Sequence, residues 1–207
     1  MDILGVDEAG RGSVLGPLVV AGVVVPENMN SVLERMGVKD SKRLVPNRRR
    51  ILSRKLKKMF DYNVVVLSAR DIDNLRADGV NLNEIEKNAM AEIISGLNHD
   101  KAIVDAVDVK PERYQNSLCE ITGCDVLAEH KADDNYIQVS AASIIAKQTR
   151  DEFIDELNKE YRKLGGVGSG YPSDPTTKKF LTNFSYDEMP DFVRKSWATV
   201  AKMKKGI

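Results

Sequence analysis

The chain is poor in residues that staple or ligate. Its 207 residues include two cysteines, Cys119 and Cys124, and two histidines, His99 and His130. Two cysteines five apart, without a matching Cys or His pair, make neither a zinc site nor a disulfide framework. They read as free thiols in a reducing compartment. No apolar run approaches the ~20 residues of a membrane-spanning helix. No basic stretch followed by an apolar one opens the chain, as a secretory signal would. The expectation is a cytoplasmic protein with no membrane partner. Net charge is also lacking, since 31 basic residues balance 31 acidic ones, which weighs against a nucleic-acid binder. What remains, 42% hydrophobic and 30% charged, is a globular composition with length enough for a sizeable core.

The distribution of charge argues the other way. From Lys42 to Lys58 there are nine Lys or Arg and no acid. After Asp191 come Arg194, Lys195, Lys202, Lys204 and Lys205, again without an acid. A polyanion responds to local field more than to total charge, although a solvated helix face gives the same pattern.

Two β-branched runs, Ile3 to Val6 and Leu18 to Val25, flank a Gly16-Pro17 turn and predict adjacent antiparallel strands. A short helix over Ser31 to Met36 is broken by Gly37. Apolar spacing predicts helices over Pro46 to Phe60, Asn81 to Leu97 and Pro111 to Ile121. Asn63 to Ser68, Ala102 to Val104 and Asp125 to Ala128 read as strands, and Tyr136 to Tyr161 as one long helix. The small apolar stretch Ala141 to Ala146 implies close packing of that helix on the sheet. A Gly/Ser/Pro-rich loop, Gly165 to Pro175, leads into a tail expected to be helical from Thr176. The order predicts a mixed α/β domain with crossovers from a parallel part of the sheet. The division expected is 1–164 and 165–207.

Acids punctuate the strand ends. Asp7-Glu8 ends the first strand, just before Ala9-Gly10-Arg11-Gly12, and Asp105 ends its own strand. Asp133 follows the last strand. Sites in open α/β sheets gather beyond the carboxyl ends of parallel strands, so these four carboxylates are candidates to converge. Hard oxygen donors suit Mg²⁺ or Mn²⁺ rather than zinc, and two such ions ~3.5–4 Å apart suit phosphodiester hydrolysis. The glycines and Arg11 suggest a visiting phosphate chain. Alternatives stay open: Asp108 rivals Asp105, Asp134 rivals Asp133, and each acid alone reads as a cap. Neighbours in a strand point to opposite faces, so Asp7 and Glu8 share a site only where the strand ends or bulges.

These residues resemble the ribonuclease HII family, most of all its archaeal form. The resemblance runs in order through Asp7 to Gly12, Gly16 to Ala21, Lys39-Asp40-Ser41-Lys42, His130 to Asp133, Ser140 to Lys147, Gly168 to Pro175, and Arg194 with Trp197. It implies an RNase H-like fold: a five-stranded mixed sheet flanked by helices over 1–164, then a substrate loop and helical extension over 165–207. It implies an endoribonuclease that cuts RNA in RNA–DNA hybrids and at ribonucleotides embedded in duplex DNA. Two Mg²⁺ or Mn²⁺ ions would act, leaving 5′-phosphate and 3′-hydroxyl ends. The family's metal-binding acids carry over onto Asp7, Glu8, Asp105 and Asp133, and its ribose-sensing elements onto Gly10, Arg11, Gly12 and Tyr171. Ser41, Lys42 and Arg43 would approach phosphates, with Arg48 to Lys58 extending that contact and Lys147 and Lys178 as weaker candidates. His130 is a remote candidate for proton transfer.

The chain departs from the family pattern at Ile137, commonly proline, and at Ala198, commonly lysine. The sequence closes at Ile207 without a glutamine-then-aromatic tail of the clamp-binding kind, so sliding-clamp recruitment is not supported there; a monomer is expected. Two other classes compete. An actin-like or sugar-kinase-like ATPase also opens on a strand, an Asp and a Gly turn, but needs a second related half. A catalytically dead hybrid-binding module would not need all four acids.

Overall fold

The computed structural model describes residues 1–204, with the side chain of Asp40 excepted. Lys205 and the chain end at Ile207, on which the clamp reading turns, lie outside the described residues.

The strands are β1 (Asp2–Ala9), β2 (Leu18–Pro26), β3 (Tyr62–Leu67), β4 (Lys101–Asp105) and β5 (Val126–Glu129). Their order in one sheet is β3-β2-β1-β4-β5. β1 and β2 pair antiparallel from Asp2↔Pro26 to Ala9↔Val19, as the Gly16-Pro17 turn predicts. β1 and β4 pair in parallel from Ile3↔Lys101 to Val6↔Val104, and β4 and β5 from Ala102↔Val126 to Asp105↔Glu129. The sheet is therefore mixed, with the parallel ends of β1, β4 and β5 on one edge.

The helices are α1 (Asn30–Met36), α2 (Pro46–Met59), α3 (Ala69–Ala77), α4 (Leu82–Gly96), α5 (Pro111–Thr122), α6 (Ala132–Asn135), α7 (Ile137–Glu160), α8 (Pro175–Leu181) and α9 (Ala198–Lys204). Proline opens α2, α5 and α8, where its missing N–H would have been unpaired anyway. Two elements differ from the sequence reading. Helix α3 was not expected, yet its start is encoded: Ser68 and Asp71 form a reciprocal capping box. The tail is not helical throughout. Between α8 and α9 the chain runs without a helix and Leu15 bridges Val193, so pairing with a distant segment outcompetes helix formation.

Packing divides the chain into two compact units that interleave in sequence, where the sequence alone suggests one boundary near residue 164. One comprises Met1–Ala9, Val19–Val65 and Asn83–Gln148. The other comprises Gly10–Leu18, Val66–Leu82 and the described residues from Thr149 onward. In the first unit, β2 is buried on both faces and packs with Leu33, Leu52, Leu56 and the small-residue stretch of α7. Burying each such aliphatic side chain contributes roughly 1.5–3 kcal/mol. At Gly5 of β1 the backbone of α7 comes close, since a Cβ there would lie 2.1 Å from the carbonyl carbon of Gln138. The second unit has its own core of Val14, Leu15, Ile154, Val167, Phe180, Leu181 and Val193. Tyr161 meets the rings of Phe180 and Phe192 edge-on within it.

Candidate active site

The first unit brings acids together at the parallel edge. Among the described residues, carboxylate oxygens of Asp7, Glu8 and Asp105 lie within 4.8 Å of one another. β1 neither ends nor bulges at Asp7-Glu8: its ladder to β2 continues through Ala9. The expected need for a bulge is thus corrected. The Asp7 carboxylate turns forward along the strand and accepts the Glu8 N–H at 2.7 Å, and pairing with β4 stops at Val6, leaving that flank open.

Asp7 is almost fully buried, and burial holds its pKa well above the ordinary carboxylate range. Glu8 and Asp105 push it the same way, while Lys147 opposes them. Burial also raises Asp105, although its Oδ1 accepts the Ala132 N–H at 3.0 Å. Three mutually repelling oxygen donors, one of them buried, fit a hard divalent cation that would relieve both costs.

Asp133 stands outside that trio. It enters from α6, after Lys131 turns the chain in a left-handed conformation (φ 56°). Its Oδ1 is 3.1 Å from the Lys42 ammonium, which also bonds Asp134 at 2.6 Å. Those bonds, first the one to Asp134, raise the Lys42 pKa. Asp133 still adds to the negative charge felt by Asp105. Of the rivals, Asp108 is tied to Arg113 and accepts the Lys110 N–H, and Asp134 is exposed. The His130 ring contacts the Ala106 carbonyl at 3.0 Å. Ser41 is buried, whereas Lys42 and Arg43 are exposed at the end of a 3₁₀ turn, Val38–Arg43.

The second unit holds the glycine loop and Tyr171. Gly10 has φ 85°, and a Cβ there would be 2.6 Å from both the Arg150 side chain and the Pro17 carbonyl, so only glycine fits. Ser13 closes the turn by donating its hydroxyl to the Gly10 carbonyl at 2.8 Å. Gly12 has open space around it. The Val14 and Leu15 amides donate to the Gly170 carbonyl at 2.8 and 3.1 Å, bringing the Tyr171 loop to this segment. Tyr171 is 37% exposed.

Sequence reasoning gave Arg194 no individual task. It is completely buried, and its Nε and Nη1 donate to the carbonyls of Gly16 and Arg11, both at 3.0 Å. Burial, then nearby Arg150, pulls its pKa down to about 9. The clue in the sequence was an arginine three residues from the single tryptophan, on whose ring it stacks at 4.7 Å.

A mixed sheet of this order, with an acid cluster at its parallel edge, defines an RNase H-like, metal-dependent hydrolase. A family model described as Ribonuclease HII matches residues 4–200. Ribonuclease HII of Methanobrevibacter smithii is 76% identical over 204 residues, covering 99% of each chain. Among solved structures, ribonuclease H2 of Pyrococcus horikoshii superposes with a TM-score of 0.91 at 40% identity, covering 100% of this chain and 98% of its own. The ribonuclease HII in a complex with PCNA from Archaeoglobus fulgidus gives 0.86 at 43% identity, covering 95% of each. The chain belongs to the ribonuclease HII family, which acts on RNA in RNA–DNA hybrids and depends on divalent metal. Among the described residues no helix is long and apolar enough to cross a membrane.

Proposed function

We propose that this chain is a cytoplasmic, monomeric endoribonuclease that cuts RNA–DNA hybrids and also duplex DNA at a single embedded ribonucleotide. Recruitment by a sliding clamp is no part of the proposal. The observation that carries it is the convergence of Asp7, Glu8 and Asp105 within 4.8 Å at the parallel sheet edge. These three, with Asp133, would hold two Mg²⁺ or Mn²⁺ ions. When bound, the ions supply Lewis-acid activation of water and neutralise charge on the leaving oxygen, giving 5′-phosphate and 3′-hydroxyl ends. Asp7 is the most buried of the four, and Lys42, which holds Asp133 and Asp134, would meet a phosphate by turning from them. The decisive assay compares a duplex with one ribonucleotide, an all-DNA duplex and a hybrid, each with Mg²⁺, Mn²⁺ or EDTA. Cleavage in EDTA, or equal cleavage of all-DNA, refutes the proposal.

In the second unit, backbone groups of Gly10-Arg11-Gly12 and the Tyr171 ring are proposed to sense the ribose. A 2′-hydroxyl both donates and accepts, so close backbone groups discriminate it. A cavity of about 330 Å³ opens beside this loop, lined by Arg11, Gly12, Arg76, Ser196 and Trp197, a composition suited to a nucleic-acid backbone. An aromatic contact to a nucleotide contributes about 1–3 kcal/mol. Tyr171→Ala is therefore expected to slow cleavage at a lone ribonucleotide by ~10- to 100-fold in kcat/KM. Unchanged cleavage would leave Tyr171 a loop anchor only.

Helix α2 supplies the electrostatic track. Its inner face buries Leu52 and Leu56, while Arg50, Arg54 and Lys58 are exposed. Like charges four apart destabilise a helix unless an anion faces them. Replacing Arg54 and Lys58 with Gln should weaken hybrid binding and flatten the log Kd against log salt slope by about 1 per lost phosphate contact. Hybrid titrations across a salt series measure this, and an unaltered slope would make α2 a solvated face.

A further inference from the structure

Arg150 belongs to neither motif to which ribose sensing is assigned, yet it touches both. It projects from α7 and is 5% exposed, rare for an arginine. Its guanidinium lies over the Tyr171 ring, 4.7 Å from the centroid. Its Nη2 donates to the Ser169 carbonyl at 2.9 Å. Its stem packs where a Cβ on Gly10 would be, 2.6 Å from Cδ and Nε, and its Nη2 lies 2.9 Å from the equivalent point on Gly170. One planar side chain thus fills the gap between the Gly10 turn and the Ser169–Tyr171 loop. The two segments already share main-chain bonds from Val14 and Leu15 to Gly170, so Arg150 is not needed to join them. What it adds is a floor for the tyrosine ring, in contact with the glycine turn.

We propose that Arg150 is a positioning residue: by stacking on Tyr171, bonding Ser169 and wedging against Gly10, it sets the spacing at which ring and glycine turn engage one ribose. The inference rests on the ribose-sensing reading above and names the residue through which its two halves are coupled. The protein holds this cation against burial, which lowers its pKa. Only arginine offers both a planar stacking face and a directional fork; lysine keeps charge and loses both.

The test is a double-mutant cycle on the single-ribonucleotide duplex, joined to hydrogen exchange of the free protein. Arg150→Lys alone should reduce kcat/KM about 5- to 20-fold, an effect of the size of one cation–π contact plus one charge-assisted bond. In a Tyr171→Ala background the same change should cost less than about twofold, because its target is gone. Equal losses in both backgrounds would overturn the proposal, since a purely structural role is additive. Amide exchange in Val167 to Pro172 should quicken in Arg150→Lys while β1 and β2 keep their protection. Unchanged loop exchange would also overturn it. Arg150→Gln, which retains a donor for Ser169, is the second variant should the lysine protein fold poorly; it must show the same coupling. If Tyr171→Ala itself has no effect on cleavage, the ribose reading fails, and loop exchange alone then decides whether Arg150 holds the loop.

Discussion

Asp7→Asn should lower kcat on an RNA–DNA hybrid by roughly 10³-fold, the scale of losing one preorganised electrostatic group in a catalytic site. Hybrid affinity should change little, because the basic surfaces are untouched. The same substitution should make the metal-free protein more stable. Burial and the charges of Glu8 and Asp105 hold the Asp7 pKa above its ordinary value, so ionising it opposes folding. Stability linked to this group is fully present below its unfolded pKa and is lost as pH rises through the raised, folded value. An amide in its place escapes that loss, for a gain of about 1–2 kcal/mol, or ~2–8 °C in Tm for a chain of this size. The gain should shrink as the buffer is made acidic. Melting curves in EDTA across pH, beside single-turnover cleavage, check both halves. A variant that keeps full activity, or melts lower at neutral pH, contradicts the assignment.

Arg194→Ala should be strongly destabilising in the second unit. The side chain is completely buried and satisfies the carbonyls of Gly16 and Arg11. Removing it leaves the buried Gly16 carbonyl without its donor, at about 1–3 kcal/mol, and the half-buried Arg11 carbonyl at less, and opens a cavity beside Trp197. Part of this is offset, because an expensively buried charge is also removed. A net loss of about 2–4 kcal/mol follows, or a Tm lower by ~4–16 °C. Arg194→Lys should not rescue it, since an ammonium cannot span both carbonyls at fixed angles. Denaturant midpoints for the two variants measure this. Equal stability to the parent would mean that Arg11 and Gly16 find other donors.

The sheet was legible because its signal is local. Runs such as Leu18 to Val25 state a buried strand residue by residue, and the expected antiparallel pair followed from one Gly-Pro turn. Asp105 was legible for the same reason, since a strand that stops at a carboxylate announces an edge, whereas β1 runs on past Asp7 and Glu8 to Ala9. What the sequence hid were properties set by distant partners. The tail between α8 and α9 gives up helix to pair with Leu15, a contact no window of neighbours contains. The Asp7 side chain turns forward onto the next amide, a contact that alternation rules do not foresee. The engagement of Asp133 with Lys42 brings together residues from separate elements. Helix α3 is a different case, since Ser68 and Asp71 carry its start within four residues.

Gly5 has a bearing on how the family can vary. Where β1 meets Gln138 of α7, main chain faces main chain, with no room for a side chain. Asp7 lies just beyond that point on the strand, and Lys147, whose charge it feels, lies farther along the same helix. The separation of strand and helix is therefore set by two backbones in contact, and it holds as long as position 5 stays glycine. Side chains such as Val23 or Ile144 can be exchanged at a cost in stability while the acids keep their distance from the helix. Evolution is free to redraw this core for heat or cold and leave the chemistry in register.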